Sequence, residues 1–296
     1  MNNYNSPFNQ VKTFFNQNNI IVKLIKINIA VWLVINVFNI YFHFYGDGGT
    51  NILVQWLAVP ASIDSLITRP WTLFTYMFLH EEIMHIFMNM LMLYFGGVLF
   101  MQFLDARKLL NTYIFGGLTG SLFYVIAFNI FPIFHNVIPF SVALGASASV
   151  LAIIVAVATY APDFSVPLIL FGNVKLKYIA IVFVVLDLTS IKGTNPGGHI
   201  AHLGGAFYGF LMAYNLRHSL FKVPTINFNK IFSRKPKMKY TKTEQPKRPL
   251  SDEEYNRIKA EKQKIIDAIL DKISKKGYDS LSKEEKEILF KSSNKT

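Results

Sequence analysis

The sequence predicts an all-α polytopic membrane protein, with six transmembrane helices followed by a small helical tail. Three observations carry this. Hydrophobic residues make up 52% of the 296 positions and DEKR only 16%, against roughly 25% charged in an ordinary soluble domain. The charge is also segregated: residues 1–216 hold 9 Lys/Arg and 7 Asp/Glu, whereas residues 217–296 hold 21 and 11. Charges this sparse cannot coat a water-soluble surface, which excludes a soluble enzyme, a disordered chain and a DNA-binding domain for the first 216 residues. Finally, the uncharged part divides into apolar runs close to the roughly 20 residues that cross a bilayer. The absence of cysteine excludes disulfides, zinc-thiolate sites and thiol catalysis.

The expected spans run from about Ile27 to Phe44, Ile83 to Phe103, Leu109 to Phe131, Leu144 to Ala161, Leu176 to Ile191 and Gly198 to Leu216. The stretch before the first is too long and polar for a cleavable signal peptide. Lysine and arginine in the short loops set the orientation. Lys12, Lys23 and Lys26 precede span 1, Arg107 and Lys108 join spans 2 and 3, and Lys175 and Lys177 join spans 4 and 5. Arg217, Lys222 and the basic tail follow span 6, while the remaining loops carry only Arg69 and Lys192. Six spans with both termini in the cytosol satisfy every loop. Spans 2, 4 and 6 then all enter from the outer face.

Polar side chains inside spans are costly and mark the bundle interior or a wet cavity. Span 2 opens HEEIMHIFMNM, with His85 and Asn89 four apart and so on one helical face. Span 4 opens LGASASVLA around Ser147, and span 6 opens GGHIAHLGGAFYG around His202. A serine, a candidate base and two hydrogen-bond donors therefore share one depth. These types suit acyl transfer: imidazole takes the serine proton and preorganised donors hold the oxyanion. His85, Asn89 and the unpaired Ser147 N–H at a helix start are candidates for that last role. Ala201, Gly205 and Gly209 on span 6 and Ala148, Ala152 and Ala156 on span 4 form small-residue stripes that let two backbones approach closely. No acidic residue lies near His202 in sequence and Asp187 sits mid-span on span 5, so a Ser-His dyad is expected; Asp187, with no charge partner visible, reads as a neutral or hydrogen-bonded core group. His199 competes with His202 for the base, and the AHLGG context favours His202. Ser149 points elsewhere on its helix and reads as packing. His80 and His85 have the wrong spacing for two metal ligands on one face, so no metal is expected, and no cofactor is implied.

GASA around Ser147, AHLGG with Gly209 following, and His80, His85 and Asn89 on span 2 resemble the rhomboid family of intramembrane serine proteases, over roughly residues 60–216. The resemblance implies a six-helix bundle around a water-filled cavity and cleavage of single-pass membrane proteins near helix-breaking, small-residue sites. It makes Ser147 the nucleophile, His202 the general base, His85 and Asn89 oxyanion donors, and Gly145 a point of close approach. The sequence departs from the family in Ala148 after the serine, in Leu151 where many members stack an aromatic on the histidine, and in Arg69-Pro70-Trp71-Thr72 for a Trp-Arg pair. The alternative is a proteolytically silent relative that binds membrane clients, whose usual sign is loss of the serine or histidine. A transporter is disfavoured, since neither an inverted repeat nor a midplane charged pair is visible.

The expected organisation is a cytosolic segment 1–26, a membrane domain 27–217, a basic tether 218–250 and a helical hairpin 251–296. Residues 45–82 read as a partly embedded loop with interfacial Trp56 and Trp71. Glu81 and Glu82 favour the positive end of the span 2 dipole. The proline-containing tether suits an anionic inner leaflet. Ser251 with Glu254, and Leu250 with Tyr255, give a capping box and a hydrophobic staple. The helix should run to Lys276, with Ile258, Ile265, Ile269 and Ile273 for one face and Gly277 as its stop. Ser282 and Glu285 cap a second helix ending near Phe290. So small a hairpin needs a docking partner, whose nature is not legible. Nucleic acid is not expected, because the lysines are interleaved with glutamates. The expected location is a bacterial cell membrane.

Overall fold

The computed structural model describes residues 13–45, 52–168, 170–219 and 251–293. The chain forms two compact units, residues 1–232 and 233–296. The expected tether at 218–250 falls outside the described residues from 220 onward, as do Leu250 of the expected staple and residues 1–12.

In the first unit, α1 spans Ile20–Tyr45. The loop that follows folds into α2 (Ile52–Leu57), β1 (Val59–Pro60), α3 (Ile63–Thr68), α4 (Thr72–Thr75) and a 3₁₀ turn at Tyr76–Phe78. Then come α5 (Ile83–Phe103), α6 (Ala106–Ile130), β2 (Val142–Ala143) and α7 (Ser147–Tyr160). A short hairpin, β3 (Ser165–Leu168) and β4 (Gly172–Lys175), leads into α8 (Leu176–Ser190) and α9 (Pro196–His218). Each of the six long apolar runs thus forms a helix. By length and composition α1, α5 and α6 can cross a membrane, whereas α7 is a shorter apolar helix.

The helix boundaries differ from expectation for local reasons. Helix α1 begins seven residues early and carries Lys23 and Lys26 on exposed positions of its first turns. Helix α7 begins at Ser147 instead of Leu144, because Gly145 holds φ +125°, a conformation outside the helical region that glycine alone adopts readily. Helix α9 begins at Pro196, where the missing N–H costs nothing, and the Asn195 side chain caps it by accepting from the Gly198 N–H at 3.0 Å.

Helix α7 is the centre of the bundle. It is apolar on all faces, the pattern of a wholly buried helix, and every residue from Ala148 to Ala158 is buried. Helices α5, α6, α8 and α9 surround it. The small-residue stripes meet as expected. A Cβ at Gly205 would lie 2.1 Å from the Ala148 carbonyl oxygen, and one at Gly209 would lie 2.2 Å from that of Ala152. From the other side, a Cβ at Gly116 would lie 2.3 Å from the Ala152 Cβ. Backbone contact this close leaves no room for any side chain. Apolar groups cover the outside, including Leu33, Val37 and Phe38 on α1 and Ile181, Val182 and Leu186 on α8. An apolar surface of that extent faces lipid or protein, not water.

The loop is anchored to the bundle by specific bonds. Strand β1 pairs antiparallel with β2, with Val59 opposite Ala143. The Trp56 and Trp71 rings stack at 6.0 Å, and the Arg69 guanidinium lies 5.9 Å from the Trp56 ring centre while also donating to the Gln55 carbonyl. Tyr76, fully buried, donates from its hydroxyl to the Gly117 carbonyl at 2.6 Å, and its own carbonyl accepts from the Gly145 N–H at 3.0 Å.

In the second unit, α10 (Asp252–Lys276) and α11 (Lys283–Ser293) are joined through a 3₁₀ turn at Tyr278–Ser280. Ser251 Oγ accepts from the Glu254 N–H at 3.3 Å, and Gly277 stops α10 with φ 78°. The second capping box is reciprocal: Ser282 Oγ accepts from the Glu285 N–H, and Glu285 Oε2 accepts from the Ser282 N–H at 2.7 Å. The apolar face is narrower than the isoleucine spacing suggested. Ile269 and Leu281 are buried, while Ile258 and Ile265 are 38% and 49% exposed.

Candidate active site

The N-terminal ends of α5, α7 and α9 converge. The β1–β2 pair and the Tyr76–Gly145 bond hold the extended segment before α7, and the turn at Gly145 delivers Ser147 as the first helical residue. The His85 ring packs on Gly145, where an added Cβ would meet its Cε1 and Nε2 at 2.9 Å. Both the positive φ and the ring require glycine here. Ser147 Oγ lies 2.6 Å from His202 Nε2, a hydrogen bond that joins α7 to α9 directly above the Gly205–Ala148 contact. A cavity of about 410 Å³ opens beside the pair, and His85, Asn89 and Asp187 are among its walls.

Asp187 is a hydrogen-bonded group of the core, with partners that are not visible in the sequence: its Oδ1 lies 2.8 Å from His202 Nδ1 and 2.8 Å from His199 Nδ1. The pair expected to act as a dyad is therefore continued by a carboxylate on α8. An ionised carboxylate only accepts hydrogen bonds, so both Nδ1 atoms carry the proton. In the neutral ring, His202 Nε2 is then left as the acceptor for the Ser147 hydroxyl. The sequence did hold a signal, because a carboxylate in an apolar helix needs a partner and two histidines stand three apart on the next one. Distance along the chain hid it.

The other candidates are also located. Asn89 is buried and donates back to the His85 carbonyl at 2.9 Å, which leaves its second N–H and its Oδ1 for other partners. His80 is fully buried; the Ala146 N–H points to its Nε2 at 3.5 Å, and its ring meets that of His85 edge-on at 5.0 Å. Ser149 is buried away from the pair and faces Met77 Sδ at 3.9 Å, as expected of a packing residue. Leu151, one turn below Ser147, lines the cavity. His199 points to Asp187, whereas His202 is the ring that meets Ser147. Glu82 sits at the N-cap of α5 without a side-chain capping bond.

Among the described residues, Asp187, His199 and His202 bring ligand atoms within 4.8 Å of one another, close enough for a cation. A cation on the two Nδ1 atoms would displace their protons and move the His202 proton to Nε2. That tautomer can only donate to Ser147 Oγ and cannot take its proton, so a bound cation and His202 acting as the base exclude each other.

The Rhomboid domain matches residues 68–219, just over half the chain. The chain belongs to the rhomboid family. It is thus a rhomboid-family membrane protein, and α5 through α9, with the loop segment from Thr68, lie within the matched region. Residues 251–295, which contain α10 and α11, match a family of unknown function (DUF6576). No curated protein matches the chain.

Proposed function

We propose that this rhomboid is an intramembrane serine protease that cleaves single-pass membrane proteins. The observation that carries the reading is the 2.6 Å contact of Ser147 Oγ with His202 Nε2, between two helices whose backbones touch. A silent client-binding relative has no need of an activated hydroxyl.

In this reading Ser147 Oγ attacks the scissile carbonyl carbon as its proton passes to His202 Nε2. The tetrahedral oxyanion is held by the Ser147 backbone N–H with His85 and Asn89, and losing one such donor typically costs about 10²–10³ in rate. Collapse breaks the C–N bond, and His202 returns the proton to the leaving amine. Water then attacks the acyl ester, His202 takes its proton, and Ser147 leaves with that proton restored. Gly145 gives His85 its place, and Gly205 and Gly209 keep α7 and α9 in contact.

The positive residues of the loops support six spans with both termini in the cytosol, the basic tether 218–250 on the inner leaflet and the hairpin 251–296 beyond it. Helix α7 has 14 residues, about 21 Å at 1.5 Å each, against a hydrocarbon core of about 30 Å. Started from the inner face, it ends short of the outer one. Ser147 then lies recessed below the outer surface in a pocket open to water.

Purified protein in detergent, given a single-pass helix with a Gly/Ala-rich outer end, should cut it. Ser147→Ala should not, and equal cleavage by both would remove the protease reading.

A further inference from the structure

We propose that Asp187 is a positioning residue that turns the Ser147–His202 pair into a Ser-His-Asp triad; this rests on the protease reading above. The carboxylate sits where it is hardest to keep. Helix α8 buries only Leu176, Ala180 and Asp187, and its remaining side chains are exposed or half-buried. A carboxylate held among apolar helices costs several kcal/mol unless its oxygens are hydrogen-bonded. Asp187 is 7% exposed, and one of its oxygens meets two imidazoles at 2.8 Å. The contact spans three helices: Ser147 on α7, His202 on α9 and Asp187 on α8.

Its consequence for the chemistry is specific. The His202 Nδ1–H donates to Asp187, which fixes both the ring plane and the tautomer that leaves Nε2 free for Ser147. When His202 takes the serine proton, the ring becomes imidazolium beside an anion, and the Nδ1 proton stays on the ring. The carboxylate gains no proton and touches no substrate atom. The alternative support beside the serine is Leu151, which offers dispersion alone and cannot select a tautomer. His199, partly exposed, donates to the same Oδ1 and so helps to hold the carboxylate in place. An Asp187→Asn side chain can place its NH₂ toward His202 Nδ1, which favours the wrong tautomer; in serine proteases that change costs about 10⁴-fold in kcat.

The test uses full-length protein in detergent micelles, with ¹⁵N-histidine labelling and a single-pass substrate. In the wild type, two ring N–H protons, assigned with His199→Ala and His202→Ala, should be strongly deshielded by the carboxylate. Asp187→Asn should lose both signals and lower kcat at least about 100-fold with KM and thermal midpoint unchanged, inside the range that an altered tautomer spans. Asp187→Glu keeps the charge, so it should recover part of the rate and a deshielded proton even if the Asn variant folds poorly. Wild-type kcat in Asp187→Asn, or a loss that follows the folded fraction alone, would overturn the proposal. So would ring protons indifferent to residue 187. A wild type that cuts nothing would instead overturn the protease reading, while the ring-proton signals still report whether the contact exists.

Discussion

Gly205→Ala tests whether the contact between α7 and α9 sets the catalytic geometry. The new Cβ would stand 2.1 Å from the Ala148 carbonyl oxygen, whereas ordinary van der Waals contact begins near 3.4 Å. The obstacle is helix backbone in the first turn of α7, so it cannot rotate aside as a side chain could. The helices must separate by about 1 Å, and overpacking of this kind costs about 1–3 kcal/mol. Ser147 and His202 sit on the same two helices, with their atoms 2.6 Å apart. A displacement of that size stretches the pair to about 3.6 Å, outside hydrogen-bond range. Misplacing reacting groups by 1 Å can cost about 100-fold. The assay is kcat on a single-pass substrate, with the thermal midpoint read in parallel. We expect kcat to fall about 100-fold in protein that is still folded. Wild-type turnover by Gly205→Ala would refute the reasoning that backbone approach sets the pair.

Other substitutions should separate the remaining roles. His202→Ala should abolish turnover, while His199→Ala, which removes one hydrogen bond to the carboxylate, should cost less than about tenfold; the reverse pattern would make His199 the base. Asn89→Ala should lower kcat more than it raises KM, and an unchanged kcat would remove Asn89 from the oxyanion site. In the tail, the Lys272 ammonium and the Ser282 N–H hold the Glu285 carboxyl below its usual range. A depressed value means that the stabilisation is present above about pH 4.5 and is lost as pH falls through the lower, folded-state value. Hydrogen exchange over Lys283–Ser293, corrected for its intrinsic pH dependence, should show protection falling in that acid window. It should already be reduced at neutral pH in Glu285→Gln, and identical profiles would contradict the assignment.

What the sequence made legible was local or periodic. Ser251, Gly277, Ser282 and Glu285 mark the ends of α10 and α11, because capping is chemistry within four residues. The stripes through Gly205 and Ala148 are visible because a helix repeats its face every three to four residues. Depth could also be read, since Ser147, His202 and His85 each stand near the start of an apolar run. Rotation about the helix axes could not. Whether Asp187 faces α9 or lipid depends on the packing angle of α8, which carries too few buried residues to reveal its inner face. The β1–β2 pair escaped notice because two-residue strands have no period and their partners lie more than eighty positions apart. The starts of α7 and α9 lie two or three residues from those that hydropathy gives, because hydropathy does not register the positive φ of Gly145 or the cap supplied by Asn195. Within the loop, the Arg69–Trp71 segment closes on Trp56: Trp71 stacks on its ring, and Arg69 lies over the same ring.

The proposed chemistry requires an activated hydroxyl at residue 147. Reaction of the detergent-solubilised protein with a fluorophosphonate, followed by peptide mass mapping, reads that activation without any substrate. The predicted result is one adduct on Ser147, lost in His202→Ala and retained when Ser149 is replaced by alanine. An unmodified Ser147 in wild-type protein, or equal labelling with and without the His202 ring, would contradict the claim.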